Sequence, residues 1–430
     1  MNHLATALAA IAPARLTRPG AGRVAELMEL DEIVWHERVT PTAAELFPTR
    51  LDFERTFAIE APGPTGPVLA AMAATWGGAT PVPGGRVGAA QLTGVSVRPG
   101  FRRRGFLRAL MAAHFADCRD RGEAISLLIA SEMPIYGRFG YGTGTRALRL
   151  RLRRGAALRT VDFGPASAVT LHVETASYEK HAPVVDAVQR AIDERGARPG
   201  RLLDATEGLR RARFAEDRPS DAMLEPLRIL TAHRDGEPVG YAMFRRDGNW
   251  VDGVPSATAH IRQLQAADMA AAHAMWSELI GSDLVQTIVT PPLPADDPLI
   301  VWLQDWRGAR AQFADHEHVR LIDLPAALAA RTYASPIDLV LDVTDPQIEE
   351  NAGLWRLVGG PDGAHVERAE PAAQVDVALE IRELGALYLG ALSAAALADA
   401  GLIRERVPGA ALALGRAFRG DREPGTPREF

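Results

Sequence analysis

Apolar positions change period repeatedly along the chain, and each change predicts an element. Residues 14–19 suit a short strand, and 20–34 carry Val24, Leu27, Met28, Leu30 and Ile33 at helical spacing. Leu46, Phe47, Leu51 and Phe53 extend a second helical stretch over 42–57, which Pro48 divides into two pieces. Residues 68–76 and 86–97 read as antiparallel neighbours across a turn at 77–85. A helix over 103–121 buries Leu107, Leu110, Met111, His114 or Phe115, and Cys118, and Gly122 is suited to end it. Residues 124–131 form a buried strand, 133–141 a short helix and turn, and 147–152 a half-exposed strand of alternating Leu and Arg. This order closes a first unit near residue 158.

The pattern restarts at Val169. It predicts a strand over 169–173, a helix over 182–195, a hairpin of 227–233 and 237–244, a strand over 257–264, a helix over 267–280 and a strand over 284–290. From about residue 312, strands at 319–324, 337–343 and 376–381 alternate with helical segments at 324–331, 383–391, 393–400 and 411–418. The units expected are therefore 1–158, 159–311 and 312–430. The Ala-rich residues 1–13 read as a disordered or lightly packed extension, and the polar tail 420–430 as frayed.

Composition narrows the class. Hydrophobic residues make up 47% and charged residues 24%, as in a globular protein. A net charge of −6 gives no basic field for nucleic acid. The single Cys118 excludes an intramolecular disulfide and any Cys-x-x-Cys site. The N-terminus lacks a basic signal region, and no apolar run approaches the ~18 residues of a membrane span, so a cytoplasmic protein is expected. His316-Glu-His318 puts two His on one strand face, but no third ligand is evident and no metal is expected.

The stretch Val95-Ser-Val-Arg-Pro-Gly-Phe-Arg-Arg-Arg-Gly-Phe-Leu-Arg108 joins a strand end, a basic turn and a helix start. Free N–H groups and the helix dipole favour an anion there. Arg102-x-x-Gly105-x-Leu107 resembles the acetyl-CoA loop of GNAT acetyltransferases, with Leu107 in place of a small residue. The element order of the first unit also resembles the GNAT fold. The second unit resembles a degenerate copy, with Ala266-Ala-Asp-Met269 where the loop would stand; an unrelated α/β unit is the alternative.

Five segments together resemble the enhanced intracellular survival (Eis) family of multi-acetylating aminoglycoside N-acetyltransferases. They are the basic turn from Val97, Ala130-Ser-Glu-Met-Pro-Ile-Tyr-Gly-Arg-Phe-Gly-Tyr-Gly142, Leu324-Pro-Ala-Ala-Leu, Leu387-Tyr-Leu-Gly390, and Glu429-Phe430. The resemblance implies two tandem GNAT-like units of α/β type, the second degenerate, then a sterol-carrier-protein-like α+β unit. It also implies a homohexamer.

On that resemblance, the backbone of Val95, Ser96 and Val97 pairs with the pantetheine arm of acetyl-CoA and offers an oxyanion donor. The turn Arg102, Arg103, Arg104, Gly105, Phe106, Leu107 and Arg108 cradles the pyrophosphate, and Ser131 and Glu132 flank the thiol. Tyr136 matches the general acid, with Tyr141 as a structural competitor. The carboxylate of Phe430 matches the base, although an α-carboxyl near pKa ~3.5 is weakly basic unless buried. Asp31, Glu32, Glu37 and Glu429 are candidate partners for a substrate ammonium, or else solvated surface carboxylates. Trp35 and Phe53 line a cleft or belong to the core. Ile129 stands where the family often carries His, which removes a group able to orient an amine. The expected activity is acetyl transfer to primary amines, of aminoglycosides or lysine-like groups. The alternatives are a GNAT acting on a dedicated protein or metabolite amine, or a lipid-binding scaffold with a vestigial first unit.

Overall fold

The computed structural model describes residues 3–36, 39–164, 167–202, 206–215 and 224–426. Its first sheet has seven strands. Five come from the first hundred and thirty residues: β1 (Arg15–Thr17), β2 (Thr56–Gly63), β3 (Gly66–Val82), β4 (Gly85–Val97) and β5 (Ile125–Ile129). They lie side by side in that order, antiparallel except for the parallel pair β4–β5. Beyond β5 stand the strand Glu317–Leu321 and then β6 (Gly142–Thr143).

The strand expected at 319–324 is therefore no part of a third sheet. It runs antiparallel to β5, from Glu317 opposite Ile129 to Leu321 opposite Ile125. Arg320 and Asp345 form a fully buried ion pair behind it, with both carboxylate oxygens 2.7 Å from Nη2. The same carboxylate accepts from the Gln347 and Ile348 N–H groups and from Asn351 Nδ2. This knot ties the first sheet to the segment that follows.

Four other expectations change. Residues 56–63 are β2, not the end of a helix; the helical pieces stop at Arg55. The 68–76 and 86–97 strands are the middles of a longer hairpin whose ladder closes with Val82 opposite Gly85. The 147–152 strand divides: Arg146–Arg149 lies in a three-stranded sheet, and Arg151–Arg153 joins the second unit's sheet beside Val285–Val289. His3–Ala9 is a helix, and Ala7 and Ile11 are buried in the core beneath the helix Phe106–Asp120.

That long helix ends as its sequence predicts. The Gly122 N–H donates to Arg119 O and the Glu123 N–H to Cys118 O, with Gly122 in the left-handed region. The second unit builds a six-stranded sheet with the helices Tyr178–Glu194 and Met269–Gly281. The last unit builds a five-stranded sheet, and the strands Gly353–Gly360 and Gly363–Arg368 in it were not anticipated. Its interior is filled around Arg331, whose guanidinium lies 4.5–5.9 Å from the rings of Tyr333, Tyr388 and Phe418 and donates to Tyr388 O and Phe418 O. Among the described residues, no helix is long and apolar enough to cross a membrane.

Candidate active site

The site begins with a sheet that comes apart. β4 and β5 pair only from Ala89 to Gln91, opposite Ile125 to Leu127. β4 then continues for six residues to Val97 with its β5-facing edge unpaired by any described strand. On its far side β5 pairs with Glu317–Leu321, and it ends at Ile129. On the near side β4 stays on β3 through a bulge: Ala74 faces Thr93 and Met72 faces Ser96, leaving Gly94 (φ 57°) and Val95 against Ala73. An open edge of this kind accepts an extended chain of donors and acceptors as an added strand.

Val95, Ser96 and Val97 all lie on this free stretch. Val95 and Val97 pack toward the helix Phe106–Asp120. Ser96 points the other way, is buried, and accepts a 3.1 Å hydrogen bond from Trp35 Nε1. Trp35 closes the helix Val24–Trp35 and keeps 41% of its surface exposed. Phe53 instead joins the small core under that helix.

The basic turn stands at the mouth of the gap. Pro99–Phe101 is one turn of 3-10 helix, Arg103 and Gly105 adopt φ of 63° and 83°, and the long helix starts at Phe106. The first backbone bond into that helix is Ala109 N–H to Gly105 O. The N–H groups of 103–108 have no acceptor among the described residues. Arg102, Arg103, Arg104 and Arg108 are exposed, and none pairs with a described carboxylate; Arg104 lies over the Phe101 ring at 5.1 Å. Phe106 is buried and Leu107 half-buried in the core beneath. Free N–H groups, unneutralised guanidinium groups and a helix N-terminus together suit a pyrophosphate.

Gly105 serves by conformation rather than by space, since a Cβ there would meet only Ile11 Cγ2, at 3.6 Å. Gly105→Ala is therefore expected to cost ~1–2 kcal/mol in that turn and to raise the dissociation constant of a pyrophosphate-bearing ligand about tenfold. Isothermal titration calorimetry checks this, and unchanged affinity would mean that the turn does not set the anion site.

Across the gap, Ser131 and Glu132 are exposed just after β5. Tyr136 follows and is 8% exposed; burial, helped by the Glu132 charge, pushes its phenol up to about 12. Its ring meets the Tyr141 ring edge-on at 6.0 Å. Tyr141 is fully enclosed and already engaged: its hydroxyl is 2.7 Å from Ser126 Oγ, which is 2.8 Å from His114 Nε2, whose Nδ1 is 3.0 Å from Thr75 Oγ1. Burial and the Arg55 charge hold His114 down at about 3, so this chain of polar groups is uncharged. Tyr141 thus belongs to a buried polar column, while Tyr136 keeps its hydroxyl outside it.

Several expected groups stand apart. Phe430, Glu429 and Glu37 lie outside the described residues. Glu32 accepts from the Val39 N–H at 2.8 Å and braces its own helix end. His318 pairs with Asp315 at 2.8 Å, and no group of three metal-ligating side chains occurs among the described residues. In the second unit, the Asp268 carboxylate caps the helix Met269–Gly281 through the Ala271 N–H and is clasped by Arg234 at 2.6 Å. A carboxylate of the chain itself sits where the first unit presents free N–H groups.

The polar tail is not frayed over its described part. Pro424, Gly425 and Thr426 are buried, and Leu202 N–H donates to Thr426 Oγ1. Sequence reading missed this anchoring, the Trp35–Ser96 contact and the His114–Ser126–Tyr141 column. Each joins residues far apart in the chain, so no local pattern announces them.

Comparison with known proteins agrees with this architecture. Profiles described as acetyltransferase (GNAT) domains match residues 17–144 and 205–321, and one for a sterol carrier protein domain matches 324–427. The chain is 37% identical to an uncharacterized N-acetyltransferase of Streptomyces avermitilis, over 81% of this chain and 84% of that one. It is 32% identical to the N-acetyltransferase Eis of Mycobacterium tuberculosis, over 79% of this chain and 80% of the relative. The crystal structure of Eis1 from Mycobacterium abscessus superposes with a TM-score of 0.80 at 28% identity, covering 97% of this chain and all of that one.

Proposed function

Because the chain belongs to the Eis family of GNAT N-acetyltransferases, we propose that it acetylates primary amines of polycationic small molecules, aminoglycosides among them, or lysine-like groups. The observation that carries this reading is the open gap between β4 and β5, with a basic helix N-terminus at its mouth and an unengaged phenol on its far wall. GNAT enzymes use acetyl-CoA, and that co-substrate supplies an acyl thioester. In this reading the backbone of Val95, Ser96 and Val97 pairs the pantetheine arm and donates to the thioester oxygen. The N–H groups of 103–108 and the guanidinium groups of Arg102, Arg103, Arg104 and Arg108 hold the pyrophosphate. Ser131 and Glu132 flank the sulfur.

In this reading Tyr136, which matches the family's general acid, is the group that meets the leaving sulfur. A phenol at about 12 is a weaker acid than a thiol at ~8.5, so full transfer to the thiolate is uphill by ~3.5 units. Tyr136 therefore acts by donating a hydrogen bond as charge builds on sulfur, and tyrosinate does not accumulate. The carboxylate of Phe430 takes the proton that frees the amine for attack; as the C–N bond forms and the C–S bond breaks, nitrogen loses its second proton and the leaving thiolate is protonated through solvent, while the Trp35 ring walls the amine side.

The reading assigns acetyl-CoA binding to 1–158, no cofactor binding to 159–311, and support of the tail to 312–430. It places the protein in the cytoplasm as a homohexamer. Mass spectrometry of aminoglycosides and polyamines after incubation with acetyl-CoA tests the proposal. One or more acetyl additions are expected on at least one of them, and no mass gain on any would sink it.

A further inference from the structure

A half-exposed strip of the first unit flanks the gap, and the second unit holds it. The strip comprises Trp35, the helix Pro41–Leu46 and the turn Pro48–Arg50. At one end the Trp35 indole is bonded to Ser96, on the unpaired stretch of β4. At the other, the Arg50 carbonyl accepts from Trp76 Nε1 at 2.6 Å. Trp76 lies opposite Gln91, the last β4 residue paired with β5. The strip therefore runs beside the gap from its open edge to its base. It covers the sheet face away from the long helix, because Thr75, the neighbour of Trp76, points at His114 on that helix.

Neither the helix Pro41–Leu46 nor the turn Pro48–Arg50 buries a side chain fully, and Phe47 between them packs on the small core under Val24–Trp35. A segment with so little buried apolar surface opens readily unless something else holds it. The helix Glu207–Ala212 supplies the hold. Its Gly208 is buried against Thr49: a Cβ there would fall 2.5 Å from Thr49 Oγ1 and closer still to the Thr49 carbonyl. Backbone meets backbone, so no side-chain rotation could make room. Glycine inside a helix is less favourable than alanine, and this close approach is what calls for it. Thr49 is fixed in turn by its hydroxyl, which donates to Leu46 O at 2.7 Å. The helix is also fastened to the second unit's own Tyr178–Glu194. Glu207 accepts from the Tyr178 hydroxyl at 2.5 Å, Arg210 lies 3.5 Å from Asp186, and Arg211 lies over the Tyr178 ring at 4.3 Å.

The geometry points to Gly208 as a positioning residue for the acceptor: by seating the second unit on Thr49, it sets how the 41–50 wall stands beside the gap and so which amines fit there. This deepens the proposed acetyl transfer and rests on it. It also gives the second unit, whose own helix terminus is closed by Asp268, a task in the first unit's reaction.

Two measurements on the full chain test it, in the wild type, Gly208→Ala and Gly208→Val. Hydrogen–deuterium exchange read by mass spectrometry follows the 41–50 amides, and steady-state kinetics follows an aminoglycoside and a short linear diamine as acceptors. Exchange over 41–50 is expected to speed about tenfold in Gly208→Val and less in Gly208→Ala, with exchange over 106–120 unchanged. For the aminoglycoside, kcat/KM should fall on the order of 10- to 100-fold, chiefly through KM, as a small displacement of a positioning wall does. The short diamine should lose less, and the acetyl-CoA dissociation constant should not move. Glu207→Ala, at an exposed residue, releases the helix from Tyr178 and is the second variant should Gly208→Val fold poorly; the same order of effects is expected of it. Unchanged exchange over 41–50 in these variants shows that the helix does not hold the wall and overturns the inference. Faster exchange with both acceptors turned over as by the wild type leaves the contact purely structural and also overturns it. So does a loss shared equally by both acceptors and by acetyl-CoA binding. A wild type that acetylates no amine tested removes the transfer reading, and the positioning role with it, whatever the exchange shows.

Discussion

Tyr136→Phe is expected to lower kcat about 100-fold, at the low end of the ~10²- to 10⁴-fold that a positioned acid contributes. The acetyl-CoA dissociation constant should stay the same. The low end follows from the raised phenol, which donates a hydrogen bond without giving up its proton. The ring is kept in the variant, so its edge contact with Tyr141 and its place in the core survive. The pH profile carries a second readout. A phenol at about 12 stays protonated throughout the working range, so Tyr136 imposes no alkaline fall in kcat below about pH 11. Paired kcat and calorimetric measurements check the prediction. A variant with unchanged kcat would return Tyr136 to a packing role. Tyr141→Phe provides the contrast: its hydroxyl is spent on Ser126, so its loss should show in stability before turnover.

The second large effect is on stability. Asp345→Ala removes the only described carboxylate paired with Arg320, whose side chain is wholly buried. It also removes the acceptor for the Gln347 and Ile348 N–H groups and for Asn351. An uncompensated buried charge typically costs ~3–5 kcal/mol, a large share of the ~5–15 kcal/mol that holds a domain together. Asp345→Asn keeps the shape and one acceptor oxygen and should cost less. Denaturant titration followed by circular dichroism measures both, and equal midpoints for wild type and Asp345→Ala would refute the role given to the pair. The consequence reaches the site. Arg320 lies against Phe115, which packs on Tyr141, and the strand that carries Arg320 holds the far edge of β5. Loosening that strand would let β5 move toward the gap.

The two effects differ in how much of their origin the sequence displays. Tyr136 sits in a Gly-rich turn whose residues could be matched to a family one by one. Arg320 and Asp345 carry no such mark; each reads alone as an ordinary surface charge. Burial makes them a pair, and burial is a property of the folded chain.

The same division runs through the whole protein. Local chemistry suffices for the long helix after the basic turn: apolar residues recur every three or four positions, and Gly122 supplies the left-handed residue that ends it. It suffices for the hairpin of β3 and β4, and for the anion-binding character of 102–108, because free N–H groups and the helix dipole belong to any helix start. It does not suffice for β2, whose residues alternate too little to separate from the helical pieces before it. Nor does it place Glu317–Leu321 in the first sheet, since strand pairing depends on which edge is free in three dimensions and β5 lies far upstream. The gap itself is of this second kind. Val95 to Val97 could be recognised as a strand end, but that β4 and β5 separate after Gln91 shows only in the folded sheet, where β4 bulges against β3 at Gly94 and Val95. The basic turn was legible as a binder of anions. The fold alone decided that it stands at the mouth of an open slot, with a buried phenol across it.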